Sequence, residues 1–235
     1  MADGKVVSVL QPAYWPGIAS WDLMRKSDVV VLMDDVRFAR RECTHRARIA
    51  DGAGAIRWME IPIEPVSTKS TIGDVRIAPK QDWVMDHRGL VAWCYRKAPY
   101  WGDLVKLFDD AVGLTTQIKE RHLSSVMNAT IHWPLMAVGQ ERQIRWSGSF
   151  SGKFRGLYPR MVDRVRSVGG SVLLVPAGER RYVPRAMFER ARIEIRWHSF
   201  NEPRFLANRG KGLSLLHAVA WLGLGWFKDF LERRV

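Results

Sequence analysis

Two short apolar runs near the amino end, joined by a turn and one helical stretch, restrict this chain more than any other feature. Val6-Val7-Ser8-Val9-Leu10 and Val29-Val30-Val31-Leu32-Met33 are rich in β-branched residues and do not alternate. A strand with one wet face alternates apolar and polar residues, so runs like these suit strands buried on both faces of a parallel sheet. Between them lie the aromatic turn Ala13-Tyr14-Trp15-Pro16-Gly17 and a helical pattern from Ser20 to Lys26. Strand, crossover helix and parallel strand make a βαβ unit, which starts a doubly wound domain. Ligands of such sheets bind beyond the carboxyl ends of the strands. Gln11-Pro12 closes the first run and Asp34-Asp35 the second, so the stretch from Lys5 to Arg48 is expected to hold a site.

The alternation of strands and helices returns towards the carboxyl end. Gln143 to Trp146 reads as a strand and Leu157 to Val168 as an amphipathic helix stopped by Gly169-Gly170. Ser171 to Val175 is a buried strand, Pro184 to Ala191 a helix with proline at its first position, and Ile193 to Trp197 the next strand. Arg46 to Ile63 predicts a hairpin turning at Asp51-Gly52-Ala53-Gly54, with Pro62 marking a strand end. Residues 64–79 read as a loop with one short strand, Asp74 to Ile77. Helical patterns follow at about 80–96, 102–112 and 116–138, and Pro134 is expected to kink or split the third. Leu213 to Leu224 forms a further helix and Trp226 to Arg234 an amphipathic tail. The expected fold is α/β: a Rossmann-like, mostly parallel sheet with βαβ units, a β-hairpin and a central helical insertion (about 80–138). A single domain over 1–235 accommodates it.

Charge narrows the partners. The chain carries +13, and 142–211 alone holds 16 Lys or Arg against five acidic residues, a net of +11. Such a surface attracts phosphates, whether on nucleotides, nucleic acid or anionic lipid, or it is simply a solvated arginine-rich face. No apolar stretch reaches the length of a membrane span, and Met1 to Lys5 lacks the regions of a signal peptide, so the expected location is cytoplasmic. Cys43 and Cys94 have neither metal-like spacing nor the makings of a disulfide framework, and no metal site is expected.

Candidate groups cluster after the first two strands. Asp34 and Asp35 end a buried strand; a carboxylate there can deprotonate an amine, bind a ribose hydroxyl or hold Mg²⁺, or else cap a turn or pair with Arg40 or Arg41. Arg40, Arg41, Arg46 and Arg48 suit a bidentate clamp on phosphate or carboxylate, or an ordinary basic hairpin. His45 is placed for acid–base work near neutral pH, or for a plain surface hydrogen bond. Tyr14 and Trp15 either stack on a sugar or base or close the core around the Pro12–Pro16 turn. Gly178-Glu179-Arg180-Arg181-Tyr182 follows another strand and should reach the same sheet edge. His122 and His132, ten residues apart without nearby carboxylates, read as surface or capping groups rather than metal ligands. The loop from Gly148 to Lys153 lacks the spacing of a nucleotide-binding P-loop.

Leu10-Gln11-Pro12-Ala13-Tyr14-Trp15-Pro16 resembles the opening signature of the WbqC-like family, and Ser27 to Phe38 with Arg40-Arg41 and Arg46 to Ile49 resembles its second. Trp58 to Ile63, Lys97-Ala98-Pro99-Tyr100, Val175 to Gly178 with Tyr182, and Gly212 to Leu216 are similar to its later motifs in the same order. The family histidine stands as Leu10 here and its asparagine as Ala13, and Gly17-Ile18-Ala19-Ser20 replaces its Trp-x-Gly-Tyr. The resemblance implies acylation of amino groups, including attachment of amino acids, in amino-sugar or secondary-metabolite biosynthesis. The expectation is thus an acyl- or aminoacyl-transferase acting on a small-molecule amine or nucleotide-sugar, with a nucleotide-linked or aminoacyl-tRNA donor. Any tRNA would lie along the basic 142–211 segment. With leucine in the histidine position, Asp35 and His45 are expected to do the catalytic work. Gln11, Tyr14, Asp34, Arg40, Arg41, Arg46, Arg48 and Tyr182 are expected to bind substrate. The alternatives are a non-catalytic nucleotide- or nucleic-acid-binding protein and a nucleotidyl-transfer enzyme.

Overall fold

The structure, a computed structural model, describes residues 4–79, 82–113, 121–152, 154–207 and 212–233. Five strands form one sheet: β1 (Val6–Leu10), β2 (Val29–Leu32), β5 (Gln143–Trp146), β6 (Val172–Pro176) and β7 (Glu194–His198). Their spatial order is β5-β2-β1-β6-β7, and every pairing is parallel. The chain builds outwards from β1 to β2 and β5, then returns to β1 and builds the other way through β6 and β7. The order therefore reverses between β1 and β6, the position where doubly wound sheets open a crevice.

The unbroken apolar run of β2 is explained by what covers it. Val29, Val31 and Met33 join one core with Met161 and Val165 of α5 (Leu157–Ser167) and Phe188 of α6 (Arg185–Arg190). Val30 and Leu32 join the opposite core. That core includes Trp21 and Met24 of α1 (Ile18–Arg25) and Leu216 and Val219 of α8 (Leu215–Glu232). Each fully buried aliphatic side chain contributes roughly 1.5–3 kcal/mol of transfer free energy, so a polar substitution anywhere along β2 is costly on either face.

The hairpin β3 (Arg46–Ala50) and β4 (Ile56–Glu60) pairs Ala47 with Met59 and Arg48 with Trp58. The helical insertion consists of α2 (Trp83–Tyr95), α3 (Trp101–Gly113) and α4 (Leu123–Ala137), with the short α7 (Arg204–Ala207) further on. Asp82 caps α2 by accepting from the Met85 N–H. The insertion is locked to the sheet domain by the aromatic turn. Trp15 is 1% exposed and stacks on Phe108 of α3 at 5.9 Å, and its N–H donates to Thr130 Oγ1 of α4.

Two sequence-based expectations are corrected and a third holds. Asp74 to Ile77 is not a strand: Ile72–Asp74 is a 3-10 turn in which the Asp74 carboxylate accepts from both Thr71 N and Thr71 Oγ1, bending the chain, and Arg76 and Ile77 keep only isolated bridges. Pro134 does not split α4, which continues from Leu123 to Ala137 with the proline in its last turn. The start of that predicted helix, 116–120, lies outside the described residues. The two helices expected after Leu213 are present: α8 is two helical stretches that meet at a kink at Gly223, whose φ of 80° is the left-handed geometry glycine tolerates.

Candidate functional site

A cavity of about 700 Å³ opens where the strand order reverses. Val9 and Gln11 come from the end of β1, Met33, Val36 and Arg37 from the end of β2, and Glu179 from the turn after β6. Gly156, Leu157, Arg160 and Met161 come from the amino end of α5. The first turn of a helix leaves N–H groups unsatisfied and carries partial positive charge, so this wall favours anions. Arg37 and Arg160 strengthen that preference. Glu179 is the single carboxylate of the lining among the described residues, and it follows the strand on the other side of β1 from Arg37. It is an exposed residue, yet desolvation by surrounding protein raises its pKa above the ordinary carboxylate value.

Asp35 supports this wall rather than lining it. Its Oδ2 lies 3.1 Å from Arg164 Nη2 and 3.2 Å from Arg160 Nε, while Oδ1 is buried without a partner. Arg164 is 1% exposed at its side chain. It donates to Ser147 Oγ at 2.7 Å and to Asp163 Oδ2 at 2.7 Å, and lies between the rings of Phe150 and Phe154. The loop after β5 thus packs around an internal cation. Its Gly148 N–H is also committed, donating to Asp34 Oδ1 at 2.6 Å. A Cβ on Gly148 would come within 3.0 Å of Asp34 Oδ2, so glycine is needed for the approach. Asp34 is half-buried, and desolvation, opposed by that N–H and reinforced by the Asp35 charge, raises its pKa.

The remaining predicted residues are dispersed. Gln11 lines the cavity and donates to Thr44 Oγ1 at 3.1 Å. Tyr14 does not: it is 1% exposed, its hydroxyl hydrogen-bonds His87 Nδ1 at 3.0 Å, and burial drives its pKa far upward. His45 is equally buried, with Nε2 donating to Glu60 Oε1 at 3.1 Å and its ring against Phe38; burial lowers its pKa. Both side chains lie in the core and outside the cavity lining. Arg46 and Arg48 stack on Trp58, 4.2 and 5.7 Å from its ring centre, and Arg46 also donates to the carbonyls of Arg41 and Glu42. Strand alternation turns this pair outward on the hairpin. Arg40 and Arg41 are exposed in the preceding loop, and Tyr182 is 61% exposed beneath Arg181; none of the three is part of the cavity lining.

Sequence reasoning passed over Arg160 and Glu179. Arg160 carries one signal, its position one turn before Arg164 on an amphipathic helix whose amino end must lie at the strand ends. Glu179 stood in a segment already expected at this edge, where the aromatic Tyr182 drew the attention instead. Among the described residues no group of His, Cys, Asp and Glu is arranged to hold a metal, and no helix is long and apolar enough to cross a membrane.

The fold and crevice define a doubly wound α/β protein with an anion-attracting cavity at its switch point. A model of the WbqC-like protein family matches residues 11–223, and the chain belongs to that family. No curated protein and no solved structure matches it.

Proposed function

We propose that the protein transfers an acyl or aminoacyl group from a phosphate-bearing donor to an amino group on a sugar or small metabolite. The observation that carries this reading is the pairing, in one cavity, of a cationic wall with a carboxylate of raised pKa across β1. Arg37, Arg160 and the amino end of α5 suit the phosphates of a nucleotide-linked or aminoacyl-tRNA donor. Glu179 suits the acceptor: an ammonium must lose a proton before it attacks, and a carboxylate of raised pKa accepts that proton more readily near neutrality. The amine nitrogen then bonds the acyl carbon, the bond from that carbon to the donor oxygen breaks, Glu179 returns its proton to the departing oxygen, and the nitrogen's remaining extra proton leaves to solvent. Charge growing on the donor side is met by the guanidiniums. Asp35, expected from sequence as the base, takes a positioning role in this reading, because it stands behind the cavity lining, ion-paired through Oδ2 with Arg160 and Arg164.

The test is a transfer assay with aminoacyl-tRNA and acyl-nucleotide donors against a panel of amines. Glu179→Gln should lower turnover by about 10²–10⁴-fold with donor binding intact. Arg160→Ala should weaken donor binding by about tenfold or more. Normal turnover in Glu179→Gln with a verified donor and acceptor sinks the mechanism. Donor binding without transfer to any amine favours the non-catalytic nucleotide-binding alternative.

A further inference from the structure

A second cleft, of about 460 Å³, lies on the other side of the β2 end from the cavity described above. It is lined by Asp34, by Ser124, Ser125 and Asn128 from the amino half of α4, and by Trp146 at the end of β5. The central helical insertion therefore builds one wall and the sheet the other. The polar groups have a definite sense. An indole N–H can only donate, and Trp146 Nε1 donates to Asn128 Oδ1 at 3.1 Å. That fixes the Asn128 amide so that its NH₂ is left for a ligand. Asp34 is the counterpart: its Oδ1 accepts from the Gly148 N–H, and among the described residues no side chain donates to its carboxylate. Ser124 and Ser125 add two hydroxyls that can give or take a proton.

We infer that this cleft binds an amine-bearing, hydroxyl-rich molecule of amino-sugar size through Asp34, Asn128, the two serines and Trp146. Hydroxyl-rich ligands need mixed donors and acceptors together with an apolar surface for their C–H faces, and Trp146 supplies the latter. The carboxylate selects the charged amine: a half-buried carboxyl whose pKa is raised by desolvation regains its charged form when an ammonium sits beside it. The nearest other charges are Asp35, which adds to the negative field, and Arg164, which opposes it. As a binding site the cleft stands independently of the transfer reading above.

Saturation-transfer NMR on the full chain tests it with glucosamine, glucose and N-acetylglucosamine as probes. Glucosamine should bind saturably, and the two neutral sugars about tenfold or more weaker. Asp34→Asn should weaken glucosamine binding by about 10–100-fold, the scale of one charge-assisted hydrogen bond. Asn128→Ala, at an exposed helix position, should weaken it by several-fold and guards against misfolding of the Asp34 variant. Arg160→Ala should leave it unchanged. Equal binding of glucosamine and N-acetylglucosamine, no saturable binding at millimolar concentrations, or loss in Arg160→Ala but not in Asp34→Asn would each overturn the inference. If sugar binding depends on Asp34 but no donor yields transfer, the site stands and the transferase reading falls.

Discussion

His87 titrates near 6.5 in an unfolded chain but only at about 4 in this protein, because burial disfavours the imidazolium. In the fold it is a neutral relay: Nδ1 accepts from the Tyr14 hydroxyl at 3.0 Å and Nε2 donates to the Glu60 carbonyl at 3.2 Å. A depressed histidine pKa means that the unfolded state binds the extra proton first. Its stabilising contribution is therefore intact above pH 6.5 and is lost as pH falls towards 4. Integrating between those values, the loss attributable to His87 is about 3 kcal/mol by pH 4. That is a large fraction of the stability of an ordinary domain. The comparison protein is the double variant Tyr14→Phe/His87→Leu, which removes both partners and so leaves no orphaned hydroxyl. Denaturant unfolding at pH 7 and pH 4 should show the wild type losing about 3 kcal/mol more than the double variant. His45 and His132, whose pKa values are lowered in the same sense by burial, remain in both proteins and cancel from the difference. Identical pH dependence in the two proteins would refute the assignment of Tyr14 and His87 to a buried, neutral pair.

Asp35→Asn should cost about 1–3 kcal/mol, because Arg164 would keep Asp163 but lose one of two carboxylates in a nearly dry site; wild-type denaturation midpoints in this variant would show that the ion pairs are incidental. Gly223→Ala combines a φ of 80° with a Cβ only 2.7 Å from the Tyr100 ring, so a loss of roughly 2–3 kcal/mol is expected. A melting temperature within a degree or so of wild type, where each kcal/mol moves it by about 2–4 °C, would count against that conformation. Binding of tRNA or a nucleotide should weaken as salt rises, since Arg180, Arg181 and Arg185 are exposed and rest on aromatic rings. A flat salt response would leave the basic segment as a solvated face.

Much of the fold was legible locally because parallel strands buried on both faces must be written as unbroken β-branched runs. Val29 to Met33 could not be a wet strand, and Gly169-Gly170 and Pro184 punctuate α5, β6 and α6 where the chain itself turns. Elements whose form is set by capping side chains or by distant packing were less legible. Asp74 bends its segment into a 3-10 turn through its own carboxylate.

The location of a site at the ends of β1 and β2 followed from sequence alone, because strand direction determines which ends carry the loops. Which side chains share that site did not. Asp35 and Arg164 are 129 positions apart and Asp34 and Gly148 are 114 apart, so no local pattern foretells either contact. Of the arginines that follow the aspartates, Arg37 stays in the cavity while Arg46 and Arg48 are drawn off to Trp58 by the alternation of β3, and Arg160, far along the chain, joins Arg37. Tyr14 shows the same division. Its turn was visible in Pro12 and Pro16, but only the arrival of α2 carrying His87 converts an aromatic at a strand end from a ligand-facing ring into a buried one. Secondary structure here is written in periodicity over a few residues, whereas the chemistry of the site depends on the sheet order that brings β5, β2, β1 and β6 side by side.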